Sequence, residues 1–404
     1  MKFVTKLIAS ASILALSGTI AHADEIKVGS VAGITGPIAE LIVPIVGGRN
    51  LAAKHVNAQG GLLGGDTYTL IQVDSACDPK NAVDAGKKVV DVNQVVAVVG
   101  ASCSGATSAL ASSVTVPAGV TQISDSATAP GITSLDDKGL LFRVAPSDAY
   151  QGLALAKLVI ADGIKNIAVT YASDDYNVGL ANVFVSEFEK AGGKVVANQV
   201  HEPKKASYRS ELATLAGANA DALIVFSYYG SGGITILKNS LENGLFDKFY
   251  AADGMLDKSV IEQIGADNLK GRIKITQSAA DVNAESYKKF VELFKETGLD
   301  PASPYAAHGY DASFMMALAI EKAGSADRSK IAAALTKIDD GSQDSTIIRP
   351  GEWEKAKMLI KEGKPINYEG ASGSVDFDEN GDVAGVYSVS IIDDEGKWAG
   401  TLLK

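Results

Sequence analysis

The sequence predicts an α/β protein built as two doubly wound parallel-sheet lobes, and three observations carry that reading. Short apolar runs alternate with helical patterns along most of the chain. The runs are nearly continuous in apolar residues, which suits parallel strands covered on both faces. The chain has 404 residues, and two such strand–helix series of similar length share it, which favours two lobes over one.

The elements follow in order. "EIKVGSVAG", "TYTLIQVDSA", "VVAVVG" and "VTQISDSA" read as strands in the first third, and "NIAVTYAS", "KVVANQVH", "ALIVFSYY" and "KFYAADG" repeat the theme. Helical periods lie between and after them. In "LANVFVSEFEKAGG" the apolar positions are Leu180, Val183, Phe184 and Phe188, and Gly192–Gly193 end the helix. In "SYKKFVELFKETG" they are Tyr287, Phe290, Val291 and Phe294. The chain changes lobe near "FRVAPSD" (Phe142–Asp148) and again near "GRIKITQSA" (Gly271–Ala279), with helices through residues 284–363. The tail "GSVDFDENGDVAGVYSVSIIDDEGKWAG" reads as hairpins with turns at Glu379–Gly381 and Glu395–Gly396.

Residues 1–23 read as an export leader. Lys2 and Lys6 precede an apolar core too short to span a bilayer, and "AHA" sets cleavage after Ala23. The mature protein is then exported and soluble. Its formal charge is −11 even before those two lysines leave. Such an acidic chain is a poor partner for nucleic acid or anionic membrane. The two cysteines, Cys77 and Cys103, form an even pair, which in an exported protein reads as one disulfide.

Enzymatic and metal chemistries find little support. His22, His55, His201 and His308 lie far apart without metal-ligand spacing. "GASCSG" misses the hydrolase elbow, because Ser104 stands where its last glycine belongs. "NAQGGLLGGD" lacks the lysine of a phosphate loop and reads as a helix end plus a turn. "DFDENGDV" lacks the closing glutamate of a calcium loop and reads as a tight turn. No metal and no cofactor are expected.

"GASCSGATSALASS" (Gly100–Ser113) offers something else. A strand ends at Val99–Gly100 and a helix begins near Ser104–Gly105. Its free N–H groups and the Ser104 hydroxyl could seat a carboxylate, or Ser104 could simply cap its own helix. "SDSATAPGIT" lies one strand later and brings Ser126 and Thr128 to the same sheet edge. Neither cluster is charged, so a zwitterion would need an acidic group elsewhere for its ammonium. Asp253, after the apolar run in "FYAADGM", is available in the second lobe.

These residues resemble the periplasmic binding proteins of ABC importers for branched-chain amino acids, the leucine/isoleucine/valine-binding type. "KVGSVAGITGPIAE", "AAKHVNAQGGLLGG", "DSACDPKNAV", "VVGASCSGATSALAS", "ISDSATAPGIT", "ASDDYNVGLA", "AADGM" and "VDFDENGDVAG" carry the resemblance across almost all of the mature chain. It implies two α/β lobes joined by three crossovers, the third near Ala384–Tyr387. The lobes would be residues 24–145 with 277–385, and 146–276 with 386–404. It implies a monomer that binds a small amino acid or related carboxylate and delivers it to ABC permease subunits. Sensing on behalf of a membrane signalling partner and, more remotely, serine hydrolysis are the rival readings.

By motif, Ser104 would hold the ligand carboxylate through its N–H and hydroxyl. Ser126 would act through its carbonyl and Thr128 through its hydroxyl. Tyr176 and Tyr229 would close over the ligand, Asp253 would pair with the ammonium, and Tyr305 would flank the opening. The resemblance also implies the Cys77–Cys103 disulfide. Leu41 stands where those proteins typically carry an aromatic, Asp253 is one methylene shorter than their glutamate, and Ser126 replaces an alanine. Residues 342–373 form a longer segment than in those proteins.

Overall fold

The apolar runs pair into two main sheets. The computed structural model describes residues 23–338 and 343–403; the expected export leader, residues 1–23, lies outside them except for Ala23. β1 (Glu25–Ala32), β2 (Thr67–Asp74), β3 (Ala97–Val99), β4 (Thr121–Ser124) and β5 (Leu141–Arg143) form an all-parallel sheet in the order β2-β1-β3-β4-β5. β6 (Asn166–Ala172), β7 (Lys194–His201), β8 (Ala222–Phe226), β9 (Phe249–Ala252) and β10 (Ile273–Ala279) repeat this winding as β7-β6-β8-β9-β10. Both sheets therefore reverse strand order beside their first strand. In open α/β sheets that switch point, at the carboxyl ends, is where a crevice for ligands opens.

The second sheet is not purely parallel. β11 (Thr346–Ile348) and β12 (Ile366–Tyr368) pair separately, but β13 (Val386–Ile392) lies antiparallel to β10, and β14 (Trp398–Leu402) antiparallel to β13. The chain thus passes between sheets after β5, after β10 and before β13. The stretch Gly271–Ala279, read from sequence as a crossing, contains β10 itself. Of the two predicted tail hairpins, the second forms as β13–β14, turning at Asp393–Lys397. The first is a turn without strands. Asp378 accepts from the N–H groups of Asn380 and Asp382, while Asp382 is drawn away to Arg143 (2.5 Å). That buried pair fixes the segment against β5, whose Arg143 N–H donates to the Gly381 carbonyl (3.0 Å), so no partner strand is reached.

One helix pair covers the first sheet. Helix Ala306–Ala323 is buried along every residue from Ala306 to Ile320 and packs against helix Ile42–Ala58. A helix that is apolar all round has no solvent face and belongs in a core. The two backbones meet at Gly48 and Gly309. A Cβ at Gly48 would lie 2.4 Å from the Ala306 carbonyl oxygen, and one at Gly309 would lie 2.2 Å from that of Ile45. Only hydrogen fits at either position.

Residues 343–373 extend this core. Trp353 is fully buried and donates its indole N–H to the Gly61 carbonyl (3.1 Å). Asp311, on the core helix, accepts from the Tyr368 hydroxyl, the Ala371 and Ser372 N–H groups and the Ser372 hydroxyl, all within 2.6–2.8 Å. Burial pushes its carboxyl up to about 6, against the pull of those donors. No helix among the described residues is long and apolar enough to cross a membrane.

Gly309→Ala should lower stability by about 1–3 kcal/mol, the usual cost of overpacking, as read by urea denaturation. An unchanged midpoint would mean that the helix crossing is looser than this geometry.

Candidate functional site

The crevice wall on the first lobe is organised by a buried arginine. Arg49 sits in helix Ile42–Ala58 with no exposed surface. Its Nε donates to Asp125 (2.6 Å), which follows β4, and its terminal nitrogens reach the Ser30 hydroxyl and Val31 carbonyl of β1 (3.0 Å each) and the Ser102 hydroxyl after β3 (2.9 Å). One planar cation thereby ties together the ends of three strands. Asp125 is likewise fully buried, so each charge is the other's chief compensation.

On that frame the two serine-rich clusters interlock. The Ser126 hydroxyl donates to the Ser102 carbonyl (3.0 Å). The Ser104 hydroxyl accepts from the Thr128 and Ala129 N–H groups (3.2 and 3.1 Å). Ser104 therefore does not cap its own helix, Ser104–Leu110; it braces the neighbouring loop. Cys103 precedes that helix and is bonded to Cys77, with a Cα separation of 5.4 Å. The disulfide anchors the start of the cluster to the turn after β2.

The opposing lobe contributes an acidic centre. Asp253, directly after β9, is 5 % exposed. Its Oδ1 accepts from Gln151 Nε2 (2.7 Å) and from the Tyr176 hydroxyl (3.1 Å), which in turn accepts from the Gly254 N–H (3.2 Å). Burial raises the Asp253 carboxyl pKa, opposed by the hydrogen bonds from Gln151 and Tyr176. Asp148, on the helix that follows the first passage between sheets, is fully buried and accepts from the Thr128 hydroxyl (2.9 Å). Burial, and then the charge of Asp253, push its carboxyl well above the usual range. The two buried carboxyls thus repel each other.

Ser102, Cys103 and Ser126 from one side and Tyr176, Tyr228 and Asp253 from the other line a cavity of about 20 Å³, closed by Leu41 and Tyr305. No lysine or arginine lines it. Of the residues singled out in the sequence, Leu41, Cys103, Ser126, Tyr176, Asp253 and Tyr305 line this space. Ser104 and Thr128 stand behind it with their hydroxyls engaged. Tyr229 lies at the contact between lobes, where its hydroxyl accepts from the Glu40 N–H (3.0 Å) and the next N–H, of Gly230, donates to the Pro37 carbonyl (3.2 Å). Its neighbour Tyr228 is the cavity aromatic and stacks on Tyr176 with centroids 5.1 Å apart. The sequence does not single out Arg49, Asp148, Gln151 or Tyr228, and offers Ser102 only as an alternative serine of the hydrolase reading. "SCS" and "SYY" are doublets in which pattern cannot choose between neighbours. Asp148 and Gln151 sit in "APSDAYQG", where only the passage between lobes was legible.

Comparison with known proteins agrees with this architecture. A family described as "Receptor family ligand binding region" matches residues 48–394. The leucine-, isoleucine-, valine-, threonine- and alanine-binding protein of Pseudomonas aeruginosa is 31% identical over 334 residues, covering 82% of this chain and 87% of that protein. The Leu/Ile/Val/Thr-binding protein of Salmonella typhimurium is 29% identical, covering 86% and 92%. The crystal structure of a leucine-binding protein from Thermotoga maritima superposes with a TM-score of 0.79 at 26% identity, covering 94% of this chain and 99% of that one.

Replacing Arg49 by leucine should lower stability by about 3–5 kcal/mol, because Asp125 is left charged and buried without its partner. The pair Arg49→Leu with Asp125→Leu should recover a large part of the loss in chemical denaturation. If the double variant is as unstable as the single one, the ion pair is not what ties these strand ends.

Proposed function

This chain belongs to the receptor ligand-binding family, among the bacterial amino-acid-binding proteins, and from that premise we propose that it is a periplasmic solute receptor. It closes two lobes on a small amino acid or related carboxylate and delivers it, as a monomer, to the permease subunits of an ABC importer. The lobes are residues 24–145 with 277–385, and 146–276 with 386–404. The membership of β13 in the second sheet, and the packing of helix Ala306–Ala323 on the first lobe, support that division, except that β10 keeps residues 277–279 with the second sheet.

One observation carries the reading. A buried aspartate faces a cavity shared by both lobes, with a second buried carboxyl behind it and no cationic side chain in the lining. A charge in such a place needs a counter-charge, and a ligand ammonium supplies it. The opposite end of the zwitterion meets the Ser102–Ser104 turn and the Ser126–Thr128 loop, where hydroxyls and main-chain dipoles suit a carboxylate. Ser104 fixes the loop that carries Thr128, and Thr128 passes the constraint to Asp148. Tyr176 orients Asp253, and Tyr228 packs behind Tyr176. Tyr229 and Gly230 make the contact that holds the lobes shut. A Cβ at Gly230 would meet the Pro37 carbonyl oxygen at 2.6 Å, so the approach there is backbone to backbone.

The serine chemistry favours a receptor over a hydrolase. The Ser102 hydroxyl accepts from Arg49, and that of Ser104 accepts from two N–H groups. The described histidines are engaged elsewhere, with Tyr310, Thr170 and Ser278. Among the described residues no histidine is therefore placed to activate either serine.

Asp253→Ala should weaken binding of an α-amino acid by about 10–100-fold, the worth of a charge-assisted hydrogen bond, and should barely affect its deaminated analogue. Isothermal titration of the two ligands tests this; equal losses would remove Asp253 from the role. A pH series adds an independent check. The raised carboxyl of Asp253 must be ionised to hold an ammonium, so affinity should decline on acidification from a pH above the ordinary aspartate range. Asp253→Asn should flatten that decline, and a wild-type profile flat down to pH 4 would contradict it.

A further inference from the structure

Two contacts between the lobes each set a proline against a glycine. Pro37 meets Gly230 through backbone, as described above. Pro130 meets Gly179: a Cβ at Gly179 would lie 2.9 Å from the Pro130 ring Cδ, whereas carbon atoms settle about 3.5–4.0 Å apart. Pro130 opens the helical turn Pro130–Ser134, just past the Ser126–Thr128 loop of the first lobe, and Gly179 lies in helix Asp175–Lys190 of the second. Each contact is a few residues along the chain from side chains that line the cavity: Ile38 and Tyr228 in one case, Ser126 and Tyr176 in the other.

Nothing within its own helix calls for glycine at position 179. Its φ is not in the left-handed region, and glycine in a helix interior is less favourable than alanine. Gly152, in helix Asp148–Ala161, makes the contrast. A Cβ there would meet Val183 of the same lobe at 2.7 Å, so packing within the lobe accounts for it. At Gly179 the obstructing atoms belong to the other lobe, Pro130 first and then the Ala129 Cβ at 3.9 Å. Pro130 does not yield readily. Its Cδ is bonded to the backbone, and the residue before it is held from two sides. The Ala129 N–H donates to the Ser104 hydroxyl (3.1 Å), and the Ala129 carbonyl accepts from the Arg143 guanidinium (3.0 Å).

We propose that Gly179 is a positioning residue for ligand binding: its missing side chain lets helix Asp175–Lys190 seat against Pro130, and that seating fixes how near the second lobe comes to the first. Tyr176 lies three residues earlier on the same helix face, and its hydroxyl donates to Asp253 (3.1 Å). A helix held off by one methyl group carries Tyr176 and Asp253 together away from the serine-rich loops. This rests on the reading that the lobes close on a ligand, and it names the residue that sets the depth of closure. Helix stability is given up for that approach. The same substitution should therefore move stability and affinity in opposite directions.

Isothermal titration of the full chain, freed of co-purified ligand, against the standard protein amino acids supplies the tightest binder as the probe. Gly179→Ala should weaken its binding by about 10-fold or more, the scale of an overpacked contact, chiefly through faster dissociation in stopped flow. The urea midpoint of the ligand-free variant should be unchanged or higher. Adding Pro130→Ala removes the ring carbon in the way and should restore most of the affinity. Unchanged affinity in Gly179→Ala would overturn the inference while leaving the receptor reading intact. So would a midpoint that falls with the affinity, or a double variant that binds no better than the single one. If no amino acid binds the unsubstituted chain, the receptor reading itself falls, and this inference with it.

Discussion

The Arg49–Asp125 pair is the constraint on which the crevice depends. A single guanidinium, wholly removed from solvent, joins the ends of β1, β3 and β4 to the helix that covers them. Those ends carry Ser102, Cys103 and Ser126, and the rest of the first-lobe lining is the aliphatic wall at Ile38–Ile45 and Tyr305. An arginine held in this way has little freedom to move, because each of its donors would be left unpaired in a dry interior. The first lobe therefore offers a rigid floor, and the disulfide at Cys103 adds a covalent tie to the same turn. Recognition can then be expressed as closure of the other lobe onto a surface already in place, which limits the ordering cost that binding must overcome.

The second lobe supplies what the floor lacks. Asp253 is the charged side chain of the cavity, and its position is set by Gln151 and Tyr176 rather than by solvent. Asp148 links the two sides: it feels the charge of Asp253 and accepts a hydrogen bond from Thr128 on the first lobe. Two carboxyls raised by burial, Asp148 also by the charge of Asp253, form an environment that is unfavourable when empty and relieved by a cation. That difference is the driving force the fold can direct into closure. The contact of Tyr229 and Gly230 with the Pro37–Glu40 loop lies outside the cavity, so it can report closure without touching the ligand.

The architecture was legible in the sequence because strand–helix alternation is a local pattern, and each strand of both sheets that was read from an apolar run is present. The antiparallel addition of β13 and β14 was not, since it depends on where the chain returns after the helical region. The failed first hairpin has the same origin: Asp382 is claimed by Arg143, more than 200 residues earlier in the chain. At the site, Asp253 and the serine clusters could be found because they follow apolar runs at sheet edges. Arg49 could not, because a lone arginine in "GGRNLAAK" looks like a solvent-facing helix residue until β1, β3 and β4 are brought together around it. Gln151 was hidden for the complementary reason, being an uncharged residue in a helix whose role arises only from its approach to β9 and β10.

The claim at the centre is that the buried carboxylate of Asp253 exists to meet a ligand ammonium. Carbon-13 NMR of the aspartate carboxyls, assigned through Asp253→Asn, follows its ionisation directly in the free and the ligand-saturated protein. The account predicts a midpoint above the ordinary aspartate range in the free protein and a marked fall when an α-amino acid binds. A midpoint unmoved by saturating ligand would contradict it.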